Sequence, residues 1–143
     1  MFGSTFAPQR SNARPSHLYM QVSVDGAAAG GRSGHELVAL LFDGVLGAIA
    51  RARGAMQTGD VTAKGEAISR AVAIVGEGLR AGLNLREGGA LAKDLNDLYS
   101  YIELRLTQGN LRNDDAALAE CMHLLKTLQD AWTAIGPQAR DAR

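Results

Sequence analysis

The sequence predicts an all-α fold, an antiparallel up-and-down four-helix bundle behind a mobile amino-terminal segment. Three observations lead there. Apolar residues recur at spacings of three and four in four successive blocks. The breaks between blocks are too short to cross the length of a helix, so consecutive helices must run in opposite directions. Prolines stand only at positions 8, 15 and 137, which leaves residues 16–136 without the residue that most strongly breaks helices.

Residues 1–33 combine Gly, Ser, Asn, Arg and both early prolines, end in AAAGGRS, and show apolar periodicity only weakly around Leu18, Tyr19, Val22 and Val24. They read as a mobile head. Ser33 is placed to cap a first helix with the stripe Leu37, Leu41, Val45, Ala48, Ala52 and Met56, which stops near Thr58-Gly59-Asp60. Leu40, Phe42, Leu46 and Ile49 lie outside the centre of that stripe, as expected of a helix covered by two neighbours. A second helix follows Val61, Ile68, Val72, Val75, Leu79 and Leu83 to a break at Arg86-Glu87-Gly88-Gly89. It carries Gly65, Gly76, Gly78 and Gly82. Each glycine costs a helix interior about 0.5 to 1 kcal/mol relative to alanine, so packing must hold this helix, and close approach of another backbone is the expected gain. Its run GEGLRAG follows no strand and keeps the helical period, and therefore lacks the turn of a phosphate loop. Leu91, Leu95, Leu98, Ile102 and Leu106 define a third helix closed by Gly109-Asn110. Asn113-Asp114-Asp115 then open a fourth, with Leu118, Cys121, Met122, Leu125, Leu128 and Trp132 as its stripe and Pro137 at its end. The chain so divides into a head (1–33), a bundle (34–136) and a tail (137–143).

At 143 residues and 46% hydrophobic, the chain can bury one core. Fifteen basic and fifteen acidic residues cancel, which removes the field that draws a domain to nucleic acid or to an anionic lipid surface; neither is an expected partner. The lone Cys121, the lack of an apolar run of about 18 residues and the lack of a signal-like apolar stretch near the amino terminus fit a reducing, cytoplasmic setting. Chemistry is sparse. Glu120 and His123 have the Glu-x-x-His spacing of two-metal bundles, but no second pair accompanies them. Relative to Leu118 they fall roughly 200° and 140° around the helix, outward rather than into a bundle core, so they read as a solvated pair. Cys121 lies near the core stripe without an activating partner and reads as a packing thiol. No metal, cofactor or enzymatic activity is implied.

What remains is surplus apolar surface. In DLNDLYSYIELRLTQGNLRND, taking Leu95 as zero at about 100° per residue, Tyr101 lies roughly 120° away and Leu104 roughly 180° away. Both face something other than the core. The second helix has a further line of Ala67, Ile74, Ala81 and Leu85, and the fourth has Leu124. These residues suit either apolar troughs that accept a partner's helices or a homodimer interface.

The segments HLYMQVSV, ELVALLFDGVLGAIARA, KGEAISRAVAIVGEGLRAGL, GGALAKDLNDLYSYIELRLTQGNLRND and LLKTLQDAW resemble, in order and spacing, the flagellar secretion chaperones of the FliS family, from His17 to about Pro137. LFDG, the Gly-Gly before the third helix, Leu-Tyr-x-Tyr followed by Arg-Leu, and the closing Ala-Trp carry the resemblance together. Gly34 stands where many members have proline, and Phe42 where many have tyrosine. The resemblance implies an antiparallel bundle whose partner is the disordered carboxy-terminal segment of flagellin, wrapped as helices in the apolar troughs. The troughs are those that the helical positions of Ile74, Ala81, Leu85, Tyr101, Leu104 and Leu124 would line. The resemblance implies that Leu18, Tyr19 and Val22 cap the groove until client displaces them. It also implies delivery to a membrane-embedded type III export gate. A self-associating helical adaptor without an unfolded client is the alternative.

Overall fold

The computed structural model describes Leu18, Tyr19 and residues 33–136. The mobility read into the head, Val22 of the cap and the tail from 137 lie outside the described residues. Among the described residues four helices make the fold: α1 (Gly34–Thr58), α2 (Val61–Ala73) continued by a π-helical segment (Ile74–Arg80), α3 (Gly89–Arg112) and α4 (Asp115–Ala134). α1 and α3 each pack on both α2 and α4, which gives the all-α four-helix bundle that periodicity predicts.

The helix ends follow local chemistry. The Ser33 hydroxyl accepts from the Glu36 amide at 3.1 Å, and the Glu36 carboxylate accepts from the Ser33 amide at 2.8 Å, a reciprocal cap that fixes where α1 begins. Gly59, at φ 78°, ends α1 in the left-handed conformation that glycine adopts without steric cost. One residue later Asp60 caps α2 through the Ala63 amide at 3.0 Å. Asp114 does the same for α4.

The core confirms most of the stripes and corrects some. Val45, Ala48, Ile49 and Ala52 of α1 are fully enclosed, and Phe42 and Val38 nearly so, because α1 lies between α2 and α4. Leu37, Leu41 and Met56 are half-buried. In α3 the expected Leu95 and Leu98 are half-buried, whereas Tyr99, absent from the predicted stripe, is enclosed. Val61 starts α2 at 71% exposed rather than in the core. α3 continues three residues past Gly109 to Arg112, and Asn113 closes it at φ 52°. Gly109 instead brings α3 close to α4, since a Cβ there would meet the Leu118 side chain at 2.9 Å.

The second helix changes register. From Ile74 its backbone opens to π geometry, as in the Ala81 amide donating to the Gly76 carbonyl at 3.0 Å, five residues back. The ladder ends at Arg80, and residues 81–88 turn rather than continue the helix. Close approach of another helix's backbone is not what these glycines serve: a Cβ on Gly78 would lie 3.1 Å from the Leu41 side chain, one on Gly82 would lie 3.0 Å from the Gly78 carbonyl of its own segment and 3.2 Å from the Tyr19 ring, and one on Gly65 would meet nothing within 4 Å.

Candidate functional site

The turn after the π segment is where the head meets the bundle. The Asn84 amide donates to the Leu18 carbonyl at 2.7 Å, and Tyr19 makes an antiparallel bridge with Leu83, so these two residues lie as a short extended piece along residues 83–84. Leu18 is 5% exposed and belongs to the hydrophobic core. Tyr19 reaches further in. Its ring meets the Trp132 indole edge-on, with centroids 5.7 Å apart, and its hydroxyl shares a 3.0 Å hydrogen bond with that of Tyr99. Beneath them is a cavity of about 290 Å³ whose walls include Phe42 of α1, Leu91 and Leu95 of α3, and Leu128 and Ile135 at the end of α4. Three helices thus build an apolar slot, and the extended pair sits across it.

Its one polar feature is the pair of phenols. Burial, then the neighbouring Tyr99, pushes the Tyr19 hydroxyl well above the usual tyrosine range, and burial pushes Tyr99 up to about 12. Both are therefore neutral hydrogen-bonding groups at ordinary pH. Trp132 is held by α1: its indole Nε1–H donates to the His35 carbonyl at 3.0 Å, the His35 imidazole stacks on the indole at 4.7 Å, and His35 Nε2 lies 2.7 Å from the Trp132 carbonyl. The slot wall is thus braced from the start of α1 to the end of α4.

The six residues read as groove lining do not gather there, and none lines the slot. Leu85, Tyr101 and Leu104 are exposed at 54%, 41% and 55%, and Ala81 is exposed beside the π segment. Ile74 and Leu124 are half-buried and pack on the core. Ala67, on the same predicted line as Ile74, is a core residue, since α2 packs on both α1 and α3. Of the predicted cap, Leu18 and Tyr19 do contact the bundle. Trp132 closes the predicted stripe of the fourth helix, whereas Tyr99 enters the site unannounced by periodicity; the Leu-Tyr-x-Tyr motif was the signal available for it.

Glu120 is not an idle surface group. It accepts from the Tyr101 hydroxyl and from Arg105 Nε at 2.9 Å, joining α3 to α4, and Tyr101 first and Arg105 second hold its carboxyl below the usual carboxylate range. His123 is exposed. Cys121 is enclosed, its thiol 3.7 Å from the Ile102 carbonyl, and burial pushes it up to about 12, which makes it a packing thiol rather than a nucleophile. Among the described residues, no three His, Cys, Asp or Glu side chains gather where a metal ion would need them, and no helix is long and apolar enough to cross a membrane.

A protein-family model described as flagellar protein FliS matches residues 16–139. The flagellar secretion chaperone FliS of Salmonella typhimurium is 47% identical over 121 residues, covering 85% of this chain and 89% of the relative. That of Escherichia coli is 40% identical over 120 residues, covering 84% and 88%. That of Bacillus subtilis is 31% identical over 128 residues, covering 89% and 90%.

Proposed function

Since the chain belongs to the FliS family of flagellar proteins, we propose that it is a cytoplasmic, non-enzymatic export chaperone for flagellin. In this reading it binds the disordered carboxy-terminal segment of flagellin, keeps it from polymerising prematurely, and presents it to the type III export gate for flagellum assembly. One observation carries the reading. A short extended segment already sits on an apolar slot between helices through one aliphatic side chain, one aromatic ring and one backbone hydrogen bond at 2.7 Å. A surface that takes up such a segment of its own chain has the chemistry to take up an apolar segment of a client.

The client's helices run over apolar positions from the π segment and the turn after it to the third and fourth helices, with Ile74, Ala81, Leu85, Tyr101, Leu104 and Leu124 as lining. They reach the slot by replacing Leu18 and Tyr19. The head is then an internal competitor, and its departure raises the competent fraction. Tyr99 sets a condition on the exchange. Its hydroxyl is enclosed and bonded to Tyr19, so a client that displaces Tyr19 must supply another polar group there, or leave a buried donor unsatisfied at about 1–3 kcal/mol.

The test is to mix the purified chain with a flagellin carboxy-terminal peptide and follow circular dichroism. Helicity beyond the sum of the separate spectra is expected, because the client folds as it binds. Additive spectra, with the chain sedimenting as a dimer that the peptide does not dissociate, would replace the chaperone reading with a self-associating adaptor.

A further inference from the structure

We propose that the end of the bundle opposite Tyr19 is a second docking site, for a segment of a partner protein that places a carboxylate beside an aliphatic side chain. A cavity of about 280 Å³ lies there, between the α1–α2 turn and the carboxyl end of α3. Val61 and Leu111 line it at 71% and 80% exposed, the two most exposed large apolar residues among those described. Neither contributes to the core. Aliphatic side chains so open beside a cavity are suited to burial by a partner.

The charge comes from Lys64. At 7% exposed it is the one buried charged side chain among the described residues, and it lines the same cavity. Its ammonium donates to the Asn110 carbonyl and to Asn113 Oδ1, both at 3.1 Å, and these neutral acceptors at a helix carboxyl end explain why it is tolerated inside. They use two of its three donors. No carboxylate stands within ion-pair distance of it among the described residues. Asp60 also lines the cavity, but it stands outside ion-pair distance of Lys64 and turns its Oδ1 to the Ala63 amide at 3.0 Å. A buried cation with a donor to spare next to apolar walls selects for a carboxylate.

The chain's own carboxylates outside the described residues do not reach. Residues 1–17 contain no Asp or Glu. Asp25 is six residues from Tyr19 and eight from Ser33, and Asp141 is five from Gly136; the described residues Tyr19, Ser33 and Gly136, to which they are tethered, stand at the other end of the bundle. Six extended residues span about 20 Å, against about 37 Å for the length of α1. The carboxylate must therefore come from another molecule. The site is independent of the slot under Tyr19, so its occupation needs no displacement of the head.

The experiment is a nuclear magnetic resonance titration of the ¹⁵N-labelled full chain with N-acetyl-leucyl-glutamate amide and with its glutamine counterpart. Saturable shifts are expected at the Gly59, Asn110 and Asn113 amides, with the glutamate probe binding at least about tenfold more tightly. Lys64→Met should abolish that preference, and Leu111→Ser should weaken both probes. Should Lys64→Met fail to fold, the glutamate-to-glutamine ratio in the unaltered chain together with Leu111→Ser decides. Equal affinities, no saturable shift, or shifts confined to residues around Leu83 would overturn the proposal. So would the same amides shifting with protein concentration alone, which would make a second copy the occupant.

Discussion

The hydrogen bond between Tyr19 and Tyr99 is the smallest unit on which the reading depends, and it makes two predictions. Tyr19→Phe leaves the enclosed Tyr99 hydroxyl without its partner, so chemical denaturation should show a loss of about 1–3 kcal/mol, whereas Tyr19→Phe with Tyr99→Phe should cost less than the sum of the single changes. Additive costs would mean that the bond contributes nothing. The second concerns pH. Both phenols have folded-state values raised above the ordinary value of about 10. Their contribution is thus fully present below pH 10; that of Tyr99 is lost as pH rises from about 10 through about 12, and that of Tyr19 is lost only at higher pH. Tyrosinate absorbance should lag behind that of the unfolded chain in this window, and an ordinary titration would place the head off the bundle. Glu120 belongs to the same scale: His123→Ala should be silent, and Glu120→Ala, which frees Tyr101 and Arg105 at a half-exposed site, should lower the thermal midpoint only slightly, as loss of a screened surface pair does.

At the scale of elements, the junction of the π segment with the head is the feature to perturb. Gly82→Ala brings a Cβ to 3.2 Å from the Tyr19 ring and 3.0 Å from the Gly78 carbonyl, so both the Tyr19 ring and the backbone at the end of the π segment must give by a few tenths of an ångström. Protease cleavage within the head should quicken and flagellin peptide should bind somewhat more tightly, as removal of a competitor requires; unchanged cleavage would show that the head tolerates the methyl. The helices themselves were legible in the sequence because local chemistry repeats at every junction: Ser33, Asp60 and Asp114 cap, Gly59 ends a helix, and three-and-four spacing fills the spans. The π segment was not, since seven residues of shifted register barely disturb an apolar period and glycine marks only that the backbone is permissive. Tyr99 was missed for a related reason. Its burial depends partly on Tyr19, a residue 80 positions away, and no local pattern encodes that contact. The clustering of the slot is likewise tertiary, which is why exposed Leu104 was easier to find than enclosed Tyr99.

At the scale of the molecule, the described residues form a helical frame that offers apolar surface in two forms, a slot bridged by the chain's own Leu18 and Tyr19, and exposed residues outside it such as Leu85, Tyr101 and Leu104. Tyr101→Glu with Leu104→Asp tests the open form. Both side chains are more than two-fifths exposed, so the bundle should keep its helicity, while burying charge beneath a docked client would cost several kcal/mol and weaken a dissociation constant by about a thousandfold. The same charges at Leu98 and Ile102 should unfold the chain, because Ile102 is fully enclosed. The central claim is that client and head compete for one apolar surface. The most direct measurement is calorimetric titration of the flagellin carboxy-terminal segment into the full chain and into a chain carrying Leu18→Ser and Tyr19→Ser, with thermal melts to establish that both are folded. Saturable one-to-one binding with a negative heat-capacity change is expected, tighter in the doubly substituted chain. No binding to the folded full chain, or weaker binding once Leu18 and Tyr19 are replaced, would contradict that claim.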